Sequence, residues 1–98
     1  MPTAYSRRFA LVTGASQDFL VPPGKRAIVK CFTGFNPSAS QLAAAILLQS
    51  VPVLSITMNA GVGTERTNLM IVAEAGETLR TLATNPCSAQ ASGYLLDA

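Results

Sequence analysis

The sequence predicts an all-β fold: a small antiparallel β-sandwich, jelly-roll-like, with about eight short strands. Apolar or alternating segments recur at intervals of roughly ten residues, a spacing typical of sandwiches and barrels. Gly, Pro, Asn and Ser separate these segments where turns are needed. A hydrophobic content of 49% in 98 residues suffices for one core. We therefore expect a single β-sandwich domain over residues 1–98, with a short extended N-terminal arm at residues 1–7.

The first three strands are predicted between residues 8 and 35. Residues 8–13 alternate loosely and end at a Gly-Ala-Ser turn. Residues 19–21 are apolar and stop at Pro22-Pro23-Gly24, where proline presets φ and glycine supplies conformational freedom. Residues 25–35 show the clearest alternation of faces, and the Asn-Pro-Ser sequence that follows ends this third strand.

The middle of the chain contains one ambiguous segment and one clear strand. Residues 42–48 combine high helix propensity with the short apolar run of a buried strand, and periodicity alone does not separate the two. We favour a strand there, because the neighbouring segments are strand-like and no strong helix cap precedes it. Residues 51–58 alternate again, with Pro52 suited to a strand start or edge. Residues 59–63 are expected to form a loop.

Three further strands are predicted in the last third of the chain. Residues 69–73 are predicted as a buried strand. In the next segment, residues 78–83, Thr78, Arg80 and Ala83 surround Leu79 and Leu82. An Asn-Pro turn then leads into the last strand at residues 88–96. Gly93 interrupts that strand, so we expect a bulge or a close backbone approach there.

The residues expected in the core or in an interface between subunits are the large apolar residues of these strands. They are Ile28, Val29, Leu69, Ile71, Val72, Leu79, Tyr94 and Leu95.

The distribution of charge along the chain is the main indication of function. Only 12% of the residues are charged, and no Asp, Glu, Lys or Arg occurs from Cys31 through Thr64. Surfaces in contact with water normally carry charged residues, and a domain of this size is too small to hide a third of its sequence internally. We therefore expect part of this uncharged segment to be covered by other copies or by neighbouring subunits.

The composition argues against several other classes of protein. A net charge of +2, with basic residues in two short groups, is too small to indicate a nucleic-acid partner. Without histidine, Cys31 and Cys87 do not make a usual zinc site, so no metal or cofactor is expected. We favour free, buried thiols for these cysteines over a disulfide bond. Residues 42–62 have the length of a membrane span, but their polar residues and Pro52 argue against one.

The candidate catalytic groups are few, and no catalytic site residue is expected. The absence of histidine excludes Ser-His and Cys-His pairs. Glu74 and Glu77 are the one candidate carboxylate pair, but they flank Gly76 in a predicted turn, where solvated charges are common. We therefore expect that the protein is not an enzyme.

Three segments carry a resemblance to a known class of proteins. They read VPPGKRAIV at residues 21–29, AGETL at 75–79 and ASGYLL at 91–96. In these segments the chain resembles small virion structural proteins of tailed bacteriophages. The resemblance implies a compact sandwich that is present in many copies in the particle, in a minor tail, neck or decoration role.

The function expected from these observations is that of a non-enzymatic structural component of a tailed-phage virion. A tail or neck subunit that acts through oligomeric packing is the first hypothesis. A capsid decoration or cement protein and a host-surface binding module for a glycan or receptor are the alternatives. The expected partners are the protein itself, as a homo-oligomer, and other virion proteins, with a host-surface ligand left open. Neither nucleic acid nor a membrane is expected as a partner. The expected location is the virion, assembled in the host cytoplasm.

Overall fold

The computed structural model describes residues 4–97, and within them every regular element is a β-strand. No helix in this range is long and apolar enough to cross a membrane. The strands are β1 Ala4–Thr13, β2 Ser16–Leu20, β3 Lys25–Phe35, β4 Leu42–Leu48, β5 Val51–Met58, β6 Gly63–Arg66, β7 Ile71–Glu74, β8 Thr78–Ala83 and β9 Ser88–Asp97.

The strands form two antiparallel sheets packed face to face. Sheet I has the order β1-β9-β3-β6, with β7 also paired to β3. Sheet II has the order β2-β8-β4-β5. Apart from the β4–β5 hairpin and the β6–β7 succession, consecutive strands lie in opposite sheets, which is the connectivity of a jelly roll. The predicted fold class is therefore confirmed.

Strands β6 and β7 share one position in the sandwich. Strand β7 pairs with the first part of β3, from Arg26 to Val29, and β6 pairs with its second part, from Phe32 to Phe35. Between them, Asn68 adopts a positive φ of 57°, and the Leu69 amide donates to the Lys30 carbonyl. The nine strands thus occupy eight positions, in agreement with the expected number.

The core lies between the inner faces of the two sheets and is mostly aliphatic. At one corner, Phe9 of sheet I packs on Phe19 of sheet II with ring centroids 5.0 Å apart, and the Arg7 guanidinium lies 4.8 Å from the Phe19 ring centroid. The largest fully buried apolar side chains are Phe32, Ile46, Ile56, Met58, Val21 and Val29.

The ambiguous segment at residues 42–48 is strand β4, as favoured from the sequence. It lies inside sheet II, between β5 and β8, and pairs with both. Ala44 and Ile46 point into the core, while the alternate positions point away from it. Pairing on both sides outweighs the helix propensity of the alanines.

The eight residues expected in the core or an interface divide into three groups. Val29, Leu79 and Leu95 are buried, and Leu69 and Ile71 are half-buried against the core. The core interpretation is wrong for the other three residues, which lie on the outer face of sheet I. These are Ile28, Val72 and Tyr94.

Several predicted boundaries also differ. Strand β2 covers residues 16–20 rather than 19–21, because the polar residues Gln17 and Asp18 pair with β8. Strand β6 was not predicted, and it begins at Gly63, which we assigned to a loop. Residues 4–7 of the expected N-terminal arm belong to β1, paired with β9, and residues 1–3 lie outside the described range. Both cysteines are free, as expected, with Cys87 buried and Cys31 only half-buried.

Candidate interface surfaces

The uncharged segment from Cys31 to Thr64 is divided between the core and the surface. It comprises the second half of β3, all of β4 and β5, and their loops. In β4 and β5, one set of alternate residues is buried, including Ile46 and Met58, and the other set faces outward without any charge. Burial in the core thus accounts for only about half of these two strands.

The outward residues of β4 and β5, together with Leu82 of β8, form a surface that we call the neutral face. Ala45 lies opposite Ser55 of β5 on one side and Leu82 of β8 on the other, and Ala43 lies opposite Thr57. Leu82 is 40% exposed. An outer face made of small, hydroxyl and aliphatic side chains is chemically suited to burial against another protein surface.

An ion pair borders the neutral face. Arg80 of β8, next to Leu47 in the sheet, donates to Asp18 of β2 through Nε at 2.7 Å and through Nη2 at 3.1 Å. This side-chain hydrogen bond, assisted by the positive charge of Arg80, lowers the pKa of the Asp18 carboxyl below its ordinary value. The pKa of Arg80 is raised by the same contact.

Replacing Arg80 with glutamine should raise the pKa of Asp18 towards its ordinary value of about 3.9. Because the folded-state pKa of Asp18 is lowered, the contribution of the ion pair to folding stability is fully present above the unfolded-state pKa. This contribution is lost as the pH falls through the folded-state pKa. An NMR titration of the Asp18 carboxyl carbon measures this shift. In the control variant Arg26→Gln, which removes a different ion pair, the pKa of Asp18 should not change. An equal pKa of Asp18 in the wild type and the Arg80→Gln variant would show that the contact has no effect in solution.

The outer face of sheet I carries a second apolar surface. Ile28 of β3 lies opposite Val72 of β7 and Tyr94 of β9, so the three side chains form one row across three strands, which we call the outer row. Tyr94 is 45% exposed and Val72 is 37% exposed. The sequence suggested these residues as core or interface, but the row itself depends on a register that the sequence does not reveal.

A shallow groove crosses the other end of the same face. Its lining includes Leu11, Phe35, Thr33, Ser88 and Gln90. The two phenylalanines in the second half of β3 have different environments. Phe32 is fully buried in the core, whereas Phe35 is 46% exposed beside this groove.

The two glutamates considered as a carboxylate pair make local structural contacts. Glu74 Oε2 accepts from Arg26 Nε at 3.0 Å across the β7–β3 pair. Glu77 Oε1 accepts from the backbone amide of Glu74 at 2.7 Å, which closes the β7–β8 turn. Within residues 4–97, no group of three or more His, Cys, Asp or Glu residues is arranged to hold a metal ion.

Comparisons with known proteins identify the fold and no family. No protein-family model matches the chain, and no curated protein matches it. A solved structure of a Podospora anserina GH26-CBM35 β-(1,4)-mannanase superimposes on 98% of this chain with a TM-score of 0.51. The two sequences are 10% identical, and the chain spans 27% of the length of that protein. This likeness supports the β-sandwich architecture alone.

Proposed function

We propose that this protein is a non-enzymatic structural subunit of a tailed-phage virion, located in the tail or neck, which acts through contacts with other copies and with other virion proteins. The observation that carries the proposal is the neutral face. Ala43, Ala45, Ser55, Thr57 and Leu82 form a continuous outer surface of sheet II. The first four lie in the sequence segment without charge, and Leu82 is paired with Ala45 in the sheet. A subunit surface that is covered in a particle has this composition, whereas a surface in permanent contact with water normally carries charges.

The segments that resemble phage virion proteins are the reason for assigning the subunit to a phage particle. The VPPGKRAIV segment runs into β3, AGETL runs into β8, and ASGYLL lies in β9. These strands include the central pair of sheet I, β3 and β9, and an inner strand of sheet II. The resemblance therefore rests on residues that build the sandwich, and a structural subunit is the role most directly compatible with it.

Immunogold electron microscopy of purified phage particles that encode this chain tests the proposal. We expect label at the tail or at the junction between the tail and the capsid. A label distributed over the capsid lattice would favour the decoration or cement alternative. Particles that lack the chain, with the protein found only in the lysate, would overturn the proposal.

The groove on sheet I favours host-surface binding as the second candidate function. Phe35 and Leu11 are exposed beside Gln90 and Ser88, so an aromatic ring and polar groups converge on one concave surface. Binding of the isolated protein to host cells, lost in a Phe35→Ala variant and kept in a Val62→Ala variant, would support this function. Equal binding by both variants, or no binding by the wild type, would exclude the groove as a receptor site.

A further inference from the structure

The two open sheets of the sandwich leave four edge strands. In sheet I the edges are β1 on one side and β6 with β7 on the other, and in sheet II they are β2 and β5. An edge strand presents unpaired backbone amides and carbonyls to any strand that approaches it. Natural proteins normally protect such edges with charged residues, short length, bulges or proline.

Three of these edges carry protective features. Strand β1 contains Arg7 and Arg8 and a bulge between Arg8 and Ala10. The β6–β7 edge is interrupted between the two short strands and carries Glu65, Arg66 and Glu74. Strand β2 has only five residues, including Asp18.

The β5 edge differs from the other three. It is eight residues long, from Val51 to Met58, and has no charged side chain. Its protective features, Pro52 and an irregularity in the pairing near Leu47, both lie at its first end. The remaining residues, 53–58, therefore form an unprotected edge.

The backbone of β5 has bonding capacity on its free side. An antiparallel strand directs its amides and carbonyls alternately towards its two sides. On one side β5 pairs with β4 from Leu42 to Leu48. Outside that ladder, residues 51–58 make no other backbone–backbone hydrogen bond within the described range, and the Met58 carbonyl accepts from the Asn36 side-chain amide.

We propose that β5 pairs antiparallel with β5 of a second copy of this chain, so that two four-stranded sheets become one continuous eight-stranded sheet. The inference deepens the proposed function, on which it rests, by naming the strand through which the subunits associate. Pairing of one surface with itself around a two-fold axis gives a closed, isologous contact. Addition of a strand at a sheet edge is a recurrent mode of recognition between proteins.

The absence of charge on β5 favours a second copy of this chain as the partner strand. A partner strand with charged side chains would place them beside an edge and a neutral face that offer no opposite charge, so they would gain no ion pair. A second β5 strand is itself uncharged and carries its own neutral face. The joined sheet would extend the neutral face across the two-fold axis without placing like charges side by side.

The sequence of β5 suits this pairing when the two-fold axis passes near Ser55. Ser55 then lies opposite Ser55 of the second copy, and Val53 lies opposite Thr57 on the outer face. On the inner side, Leu54 lies opposite Ile56, which extends the core of each sandwich towards the other. β-Branched pairs and hydroxyl pairs of this kind are favourable across antiparallel strands. Pro52, which has no amide proton, lies near the end of the paired region.

Light scattering behind size exclusion, over a series of protein concentrations, tests the inference with the variant Ser55→Lys. Ser55 is exposed, so lysine should be tolerated by the monomer. In the dimer it would place two ammonium groups opposite each other. We expect the wild type to form a dimer as concentration rises and the dissociation constant to increase by about tenfold or more in Ser55→Lys. The matched control is Ser16→Lys, on the opposite edge of sheet II, which should dimerise like the wild type.

Hydrogen exchange locates the contact. Amides within residues 53–57 should gain protection at concentrations where the wild type is dimeric, and Ser55→Lys should lose that gain. A wild type that stays monomeric at every concentration, or an unchanged dimer in Ser55→Lys, would overturn the β5 contact. An unchanged dimer would leave the proposed virion role intact. If purified phage particles lacked the chain, the virion role would be wrong. A dimer in solution that is weakened in Ser55→Lys would still support the β5 contact.

Discussion

Replacing Gly93 with alanine should prevent stable folding of the domain. Gly93 lies in β9 opposite Val29, where the register between β3 and β9 shifts by one residue between Val29 and Cys31. A Cβ atom at position 93 would lie 2.0 Å from the Ile28 carbonyl oxygen and 2.9 Å from the Lys30 amide nitrogen. Both obstacles are backbone atoms of β3, one of the two central strands of sheet I, so they cannot rotate away as a side chain can.

The expected loss of stability for Gly93→Ala exceeds about 4 kcal/mol, which approaches the lower end of the total stability of a small domain, about 5 kcal/mol. Thermal or urea unfolding, together with the yield of soluble protein, measures the loss. Gly63→Ala is the matched control, because Gly63 is an exposed strand glycine whose added Cβ would meet nothing closer than 3.6 Å. Its stability should change by less than about 1 kcal/mol. Equal stability of the two variants would mean that β9 does not approach β3 as closely as described.

Gly93 also illustrates what the sequence could predict. A glycine inside an otherwise good strand indicates a bulge or a close approach, and both occur here, with the bulge on the partner strand β3. Likewise, strands β3 and β5 have the boundaries expected from alternation and turn residues. These are local features, and local patterns determine them.

The features that the sequence did not predict depend on pairing between distant segments. Ile28 and Tyr94 are large and apolar in strands, so composition alone assigned them to the core or an interface. Their outward orientation is set by the register of β3 against β9 and by the bulge that follows. In the same way, Gln17 and Asp18 are poor strand formers alone and become strand through pairing with β8. The free edge of β5, on which the proposed self-association depends, is visible only from the strand order.

Replacing Asn36 with alanine should destabilise the domain by about 3 kcal/mol, because it leaves buried backbone groups without partners. Asn36 is fully buried and directly follows β3. Its side-chain amide donates to the carbonyls of Ser40, at 2.8 Å, and Met58, at 2.9 Å. Its Oδ1 accepts from the backbone amide and the hydroxyl of Ser38, at 3.0 and 2.7 Å. One side chain thus holds the β3–β4 loop against the end of β5.

The backbone of Asn36 extends this connection to the next loop. Its amide donates to the Val62 carbonyl, and its carbonyl accepts from the Gly61 amide. In Asn36→Ala these backbone bonds can remain, so we expect a folded protein with a lower unfolding midpoint and faster hydrogen exchange at the Gly61 amide. Asn36→Asp should be more damaging than Asn36→Ala, because it removes both donated bonds and introduces a charge at a fully buried position. The control Ser38→Ala removes one hydroxyl and should cost about 1 kcal/mol. If Asn36→Ala unfolds at the same denaturant concentration as Ser38→Ala, the amide does not hold the loops together.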